Sequence, residues 1–80
     1  MHKIYHRIES IAGNVISVDA EGVSYRELAQ VTSTFGTSLA QVIRLDGNRV
    51  SLQVFAGSRG IATDAKVRFL RMEYNGGGWD

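Results

Sequence analysis

The chain has 80 residues, nine Lys and Arg against eight Asp and Glu, and neither cysteine nor proline. That length holds one small domain, burying only ~60% of the surface that its unfolded form exposes. The absence of cysteine excludes a disulfide framework and thiolate metal sites, and a net charge of +1 is no footprint for DNA or RNA.

The first ten residues, MHKIYHRIES, carry basic groups but no apolar h-region, so they do not read as a signal peptide. No apolar run approaches the ~20 residues that span a bilayer, and a cytoplasmic chain is expected. An opening strand is predicted over residues 4–13, bent or bulged near Ala12-Gly13. NVISVDAEG (14–22) reads as a second strand, with Ile16 and Val18 on one face and Ser17 and Asp19 on the other. It ends at the turn signal Glu21-Gly22.

SYRELAQV (24–31) has room for one helical turn, too short to stand as a helix alone. Within it LAQVTS (28–33) begins a shorter strand. SLAQVIRL (38–45) and RVSLQVF (49–55) are the strongest strands. Asp46, Gly47 and Asn48 join them as a hairpin turn, because these residues tolerate the positive φ of primed turns. KVRFL (66–70) closes the set, with Val67 and Phe69 opposed to Lys66 and Arg68. Short strands at roughly ten-residue spacing imply an all-β fold, a small closed six-stranded antiparallel β-barrel. Closure also removes the edges that invite aggregation. The barrel is expected over residues 1–74, followed by a flexible Gly-rich tail, NGGGWD (75–80), since consecutive glycines lose the most entropy on ordering.

The first candidate for chemistry is FAGSRGIATDAKVRF (55–69). A phosphate-binding P-loop needs G-x-x-x-x-G-K-[ST] opening a helix. Here the spacing is short, the lysine is absent and a strand follows. Gly57 and Gly60 are therefore expected to turn the chain. His2 and His6 lack the glutamate of H-E-x-x-H and a third ligand, so no metal site is expected. Without a cysteine or a G-x-S-x-G elbow, no catalytic residues and no cofactor are expected. Asp19, Glu21 and Glu27 read as a solvated rim around a turn.

Two other functions compete for these residues. Tyr5, Tyr25, Phe35, Phe55 and Phe69 are interleaved with Arg26, Arg44, Arg49, Arg59 and Arg68, a composition that small nucleic-acid-binding (OB-like) barrels use for stacking bases. The balanced charge weighs against that alternative. A small enzyme or ligand-binding barrel would need a concave pocket with converging polar groups.

The order EGVSYRELAQV (21–31), AQVIRLDGNRVSLQVFAGSRGI (40–61) and KVRFL (66–70) resembles the N-terminal β-barrel of the V/A-type ATP synthase's B-type subunit, its non-catalytic, regulatory one. Gly22, Val23, Tyr25 and Glu27 fall on the family's turn motif, and Gln41 and Val42 on the strand after it. Gln53, Val54, Phe55, Gly57, Gly60 and Ile61 fall on its most specific segment, and Val67, Arg68 and Phe69 on the last strand. Phe55 and the VRFL ending favour the B-type subunit over the related catalytic one. Ser58 stands where the family commonly has threonine, and NGGGWD matches nothing that follows the barrel in the family.

The resemblance implies a barrel without chemistry of its own. It would sit in a ring that holds a hexamer of alternating catalytic and non-catalytic subunits in an ATP-driven H⁺ or Na⁺ motor. Its partners would be the catalytic A-type subunits and their neighbours in the head, with no nucleic acid and only indirect contact with the membrane, on the cytoplasmic side. Strand parity places Val42, Phe55 and Leu70 opposite the clearest core positions, as candidates for the interface between subunits.

Overall fold

The computed structural model describes residues 5–34, 36–57 and 59–70. The expectations for the tail at 75–80, the boundary at 74, and for His2, Phe35 and Ser58 lie outside the described residues. Six strands follow in order: β1 (His6–Ala12), β2 (Val15–Asp19), β3 (Leu28–Ser33), β4 (Gly36–Asp46), β5 (Arg49–Val54) and β6 (Lys66–Phe69). They form a closed barrel in the order β1-β2-β5-β4-β3-β6, and every neighbouring pair is antiparallel. The closed all-β barrel expected from strand spacing is the architecture found. Residues 25 and 26 form a non-helical turn, and β3 starts at Leu28.

Two hairpins explain much of this path. Ala12 stands opposite Val15 and Asp46 opposite Arg49, leaving two-residue turns at Gly13-Asn14 and Gly47-Asn48. Gly13 and Gly47 sit at φ 62° and 64°, a region that costs a residue with a Cβ about 1–2 kcal/mol. Gly13 therefore closes a hairpin, where the sequence suggested a bend or bulge. The register shift in β1 lies earlier, between Ile8 and Ser10, and a second lies in β4 between Val42 and Arg44. Both fall near the place where a strand changes partner. β1 leaves β6 after Arg7 for β2, and β4 leaves β3 after Gln41 while its pairing with β5 runs on. Such bulges bend and twist a strand, which is how a narrow sheet curls onto itself.

The interior is filled by alternating residues of all six strands. Ile16, Val18, Val42, Val50, Leu52 and Val67 are wholly buried, each such side chain contributing about 1.5–3 kcal/mol. Size is graded across the strands. Val54, Ala40, Ala29 and Phe69 form one cross-strand row. The two alanines sit side by side where the Phe69 ring needs room, so a barrel of only six strands accommodates an aromatic side chain. Ile11, Val23 and Ile61 pack against this core from its margins.

Candidate interface on the barrel surface

Because the interior is packed with side chains, any recognition by the described residues belongs to the outer surface. Among them no three His, Cys, Asp or Glu side chains converge as metal ligands. His6 lies edge-on to Phe69, with ring centroids 5.3 Å apart. A groove of about 460 Å³ opens outside the barrel, lined by Tyr5, Thr32, Ser33, Thr34, Asp64, Ala65 and Lys66.

The outer face around β3, β4 and β5 carries several exposed apolar side chains. Leu39 and Phe55 continue the β4–β5 ladder, the Phe55 amide donating to the Leu39 carbonyl at 3.0 Å. They are 45% and 58% exposed, and Leu28 on β3 and Ile43 in the β4 bulge are exposed with them. Gln30, Gln41 and Gln53 separate these residues on neighbouring strand positions. The exposed apolar side chains thus alternate with glutamines across the strands of this face.

At one end of this face the segment Ser24–Glu27 is held in a clamped turn. The Glu27 amide donates to the Ser24 carbonyl at 3.1 Å, closing a four-residue turn. The Glu27 carboxylate then accepts the Ser24 amide through Oε1 at 2.8 Å. Arg26 stands at φ 71°, the third turn position that usually demands glycine. The Arg26 amide donates to the Val42 carbonyl and the Val42 amide to the Glu27 carbonyl, so two residues oppose one as in a bulge. Gln41 adds a side-chain bond from Nε2 to the Arg26 carbonyl at 3.1 Å. The product is a rigid knob: Tyr25 is 59% exposed, and the Arg26 guanidinium lies 5.7 Å from its ring centre.

Glu27 corrects a reading of the sequence. Asp19 and Glu21 are exposed as a rim, but Glu27 is only 6% exposed and its Oε2 has no hydrogen-bond partner. The signal available in the sequence was the spacing Ser24-x-x-Glu27, whose reciprocal bonds resemble a helix capping box and here close a turn before a strand.

The three interface candidates separate. Val42 is fully buried and cannot meet a neighbour. In β4 the alternation places Ala40 and Val42 inward and Leu39 outward, because small residues fit beside Phe69 where leucine would not. The larger apolar set of that strand suggested the opposite parity. Phe55 is exposed and Leu70 half-buried. Gly57 and Gly60 adopt φ 84° and 82°. The Gly57 amide donates to the Val54 carbonyl, and Val54 in turn donates to the Asn14 carbonyl. A Cβ on Gly57 would meet Asn14 Oδ1 at 3.4 Å. Gly57 thus lies where the chain after β5 turns against the β1–β2 hairpin. Asp46 ends β4, and the Asn48 carbonyl in the following turn accepts the Ala20 amide.

The family model described as the ATP synthase alpha/beta family, beta-barrel domain, matches residues 8–71. A V-type ATP synthase beta chain of Treponema denticola is 60% identical over 73 residues, 91% of this chain and 17% of the relative. The V-type ATP synthase beta chain 1 of Treponema pallidum is 61% identical over 70 residues, 88% of this chain and 16% of its own length. A Chlamydia muridarum V-type ATP synthase beta chain is 49% identical over 71 residues, 88% of this chain and 16% of its own. The chain therefore spans about one-sixth of the length of the curated relatives it matches.

Proposed function

The chain belongs to the ATP synthase alpha/beta family through its β-barrel domain, and from that membership we propose that it is a structural assembly barrel. In this reading it joins a ring that holds alternating catalytic and non-catalytic subunits of a V-type rotary motor, on the cytoplasmic side of the membrane. It performs no chemistry, and ATP turnover and H⁺ or Na⁺ movement belong to the rest of the complex. Its neighbours would be catalytic A-type subunits.

The observation that carries this is the apolar band of Leu28, Leu39, Ile43 and Phe55, ending in the Tyr25–Arg26 knob, on a barrel whose core is already full. A ring contact is heterologous, so one such band meets a different surface on the next barrel. Tyr and Arg are the residue types that concentrate binding energy at interface centres. The nucleic-acid alternative loses one of its stacking rings, because Phe69 is buried in the core, and a net charge of +1 weighs against it.

The test is co-elution of the chain with the catalytic A-type subunit of a V-type ATP synthase, followed by titration. Leu39→Ser combined with Phe55→Ser should weaken the complex by about tenfold or more while leaving the circular dichroism spectrum unchanged. Equal affinity for the double variant would overturn the assignment of this face, and failure of the unaltered chain to bind would overturn the assembly reading.

A further inference from the structure

The two hairpins of the barrel match each other position by position. One displacement along the chain carries Gly13-Asn14 onto Gly47-Asn48, Ile16 onto Val50, Ser17 onto Ser51 and Val18 onto Leu52. The same displacement carries the β1 bulge, between Ile8 and Ser10, onto the β4 bulge, between Val42 and Arg44. A bulge places two residues of one strand against one of its partner, so its recurrence at one distance from each turn marks a repeated backbone. The third strands follow, with a longer connector before β6 than before β3. His6 opposite Val67 and Arg7 opposite Lys66, between β1 and β6, repeat Ala40 opposite Ala29 and Gln41 opposite Leu28, between β4 and β3. The turns that enter those strands correspond as well. The Glu27 amide donates to the Ser24 carbonyl at 3.1 Å, and the Ala65 amide to the Ala62 carbonyl at 2.9 Å.

These correspondences close on themselves as a two-fold rotation does. In the β2–β5 ladder Ser17 faces Ser51, and the pair Ile16 and Leu52 answers the pair Val18 and Val50. In the β3–β6 ladder Gln30 faces Arg68, and Ala29 with Phe69 answers Val31 with Val67. Between the hairpins the Ala20 amide donates to the Asn48 carbonyl and the Val54 amide to the Asn14 carbonyl, both at 2.9 Å. Such reciprocal contacts define an isologous, two-fold interface. The interior obeys the same relation: Ile8 and Val42, Ala29 and Val67, Val31 and Phe69, and Glu27 and Ala65 are buried in both members of each pair. We infer that the barrel is a fused pair of one three-stranded unit, β1–β2–β3 and β4–β5–β6, whose hairpins are interchangeable. The copies part on the outer face. The bulge residue is Glu9 in the first and Ile43 in the second, and Leu28 of the first corresponds to Lys66 of the second; all four are exposed. One backbone position thus carries a charge in one copy and an apolar side chain in the other. The fold requires neither, and leaves these positions free for recognition.

Exchange of segments within the 80-residue chain tests the inference. In one variant residues 11–17 trade places with 45–51, and in another residues 8–20 trade places with 42–54. Each should unfold in a single cooperative transition. The melting temperature should fall by less than about 10 °C for the hairpin tips and about 20 °C for the whole hairpins. The amides at positions 20 and 54 should stay protected from hydrogen exchange. In a third variant residues 8–20 trade places with 43–55, one residue out of step, which turns the inner side chains of both hairpins outward. It should show no cooperative transition. Loss of the cooperative transition in either in-step exchange overturns the inference. So does an out-of-step variant that melts at the temperature of the in-step one. Ile43→Glu combined with Leu28→Lys gives each position the residue of its two-fold mate and should shift the melting temperature by less than about 4 °C. A larger fall would show that the two copies are not equivalent.

Discussion

Glu27 shows how one side chain sets the shape of a surface. Its carboxylate is buried, holds the Ser24 amide at 2.8 Å, and thereby fixes the two residues between them in an outward turn. Glu27→Ala removes a charge-assisted acceptor and should cost about 1–3 kcal/mol in urea unfolding. Glu27→Gln retains an acceptor and should cost less; equal stability of the alanine variant would show that the clamp contributes nothing. Arg26 points the other way. Its φ of 71° carries strain of about 1–2 kcal/mol, partly offset on substitution by the entropy of glycine. Arg26→Gly should therefore raise stability by about 0.5–1 kcal/mol in the same measurement, while weakening any interface that uses the Tyr25–Arg26 pair.

At the scale of the strand, the barrel depends on the order of small and large side chains. Ala29 and Ala40 are wholly buried beside Phe69. Ala40→Leu should destabilise by about 1–3 kcal/mol through overpacking, read as a fall in melting temperature; a tolerated leucine would mean that the row has slack. This row also explains what was legible in the sequence. β5 reads correctly because Val50, Leu52 and Val54 alternate with polar residues, and β3 begins and ends where its pattern does. β4 misleads, because Leu39 and Ile43 look like its core and are exposed, while Ala40 and Val42 are the inward pair. Hydrophobicity alone ranks leucine above alanine. Only the curvature of a narrow barrel, and the ring of Phe69 from another strand, reverse that ranking. The bulges at Glu9 and Ile43 were equally hidden, since each is defined by the partner strand rather than by its own residues.

For the whole molecule, strand order sets the surface chemistry. It places the exposed apolar residues around β4 and β5 across the barrel from the paired Arg7 and Lys66 of β1 and β6, so the two sides differ in chemistry. Leu39→Ser and Phe55→Ser, both on the outer face, should leave stability within about 0.5 kcal/mol of the unaltered chain, separating an interface role from a folding one in a single denaturation series. The ladder between β1 and β6 has a mechanical meaning as well. His6 pairs with Val67, so the backbone enters β1 and leaves β6 at the same corner. Tension applied between those two points would peel the ladder one rung at a time rather than shear all rungs together. The long β4–β5 ladder across the barrel lies outside that line of load. A load applied at this corner would therefore open the barrel between β1 and β6 first.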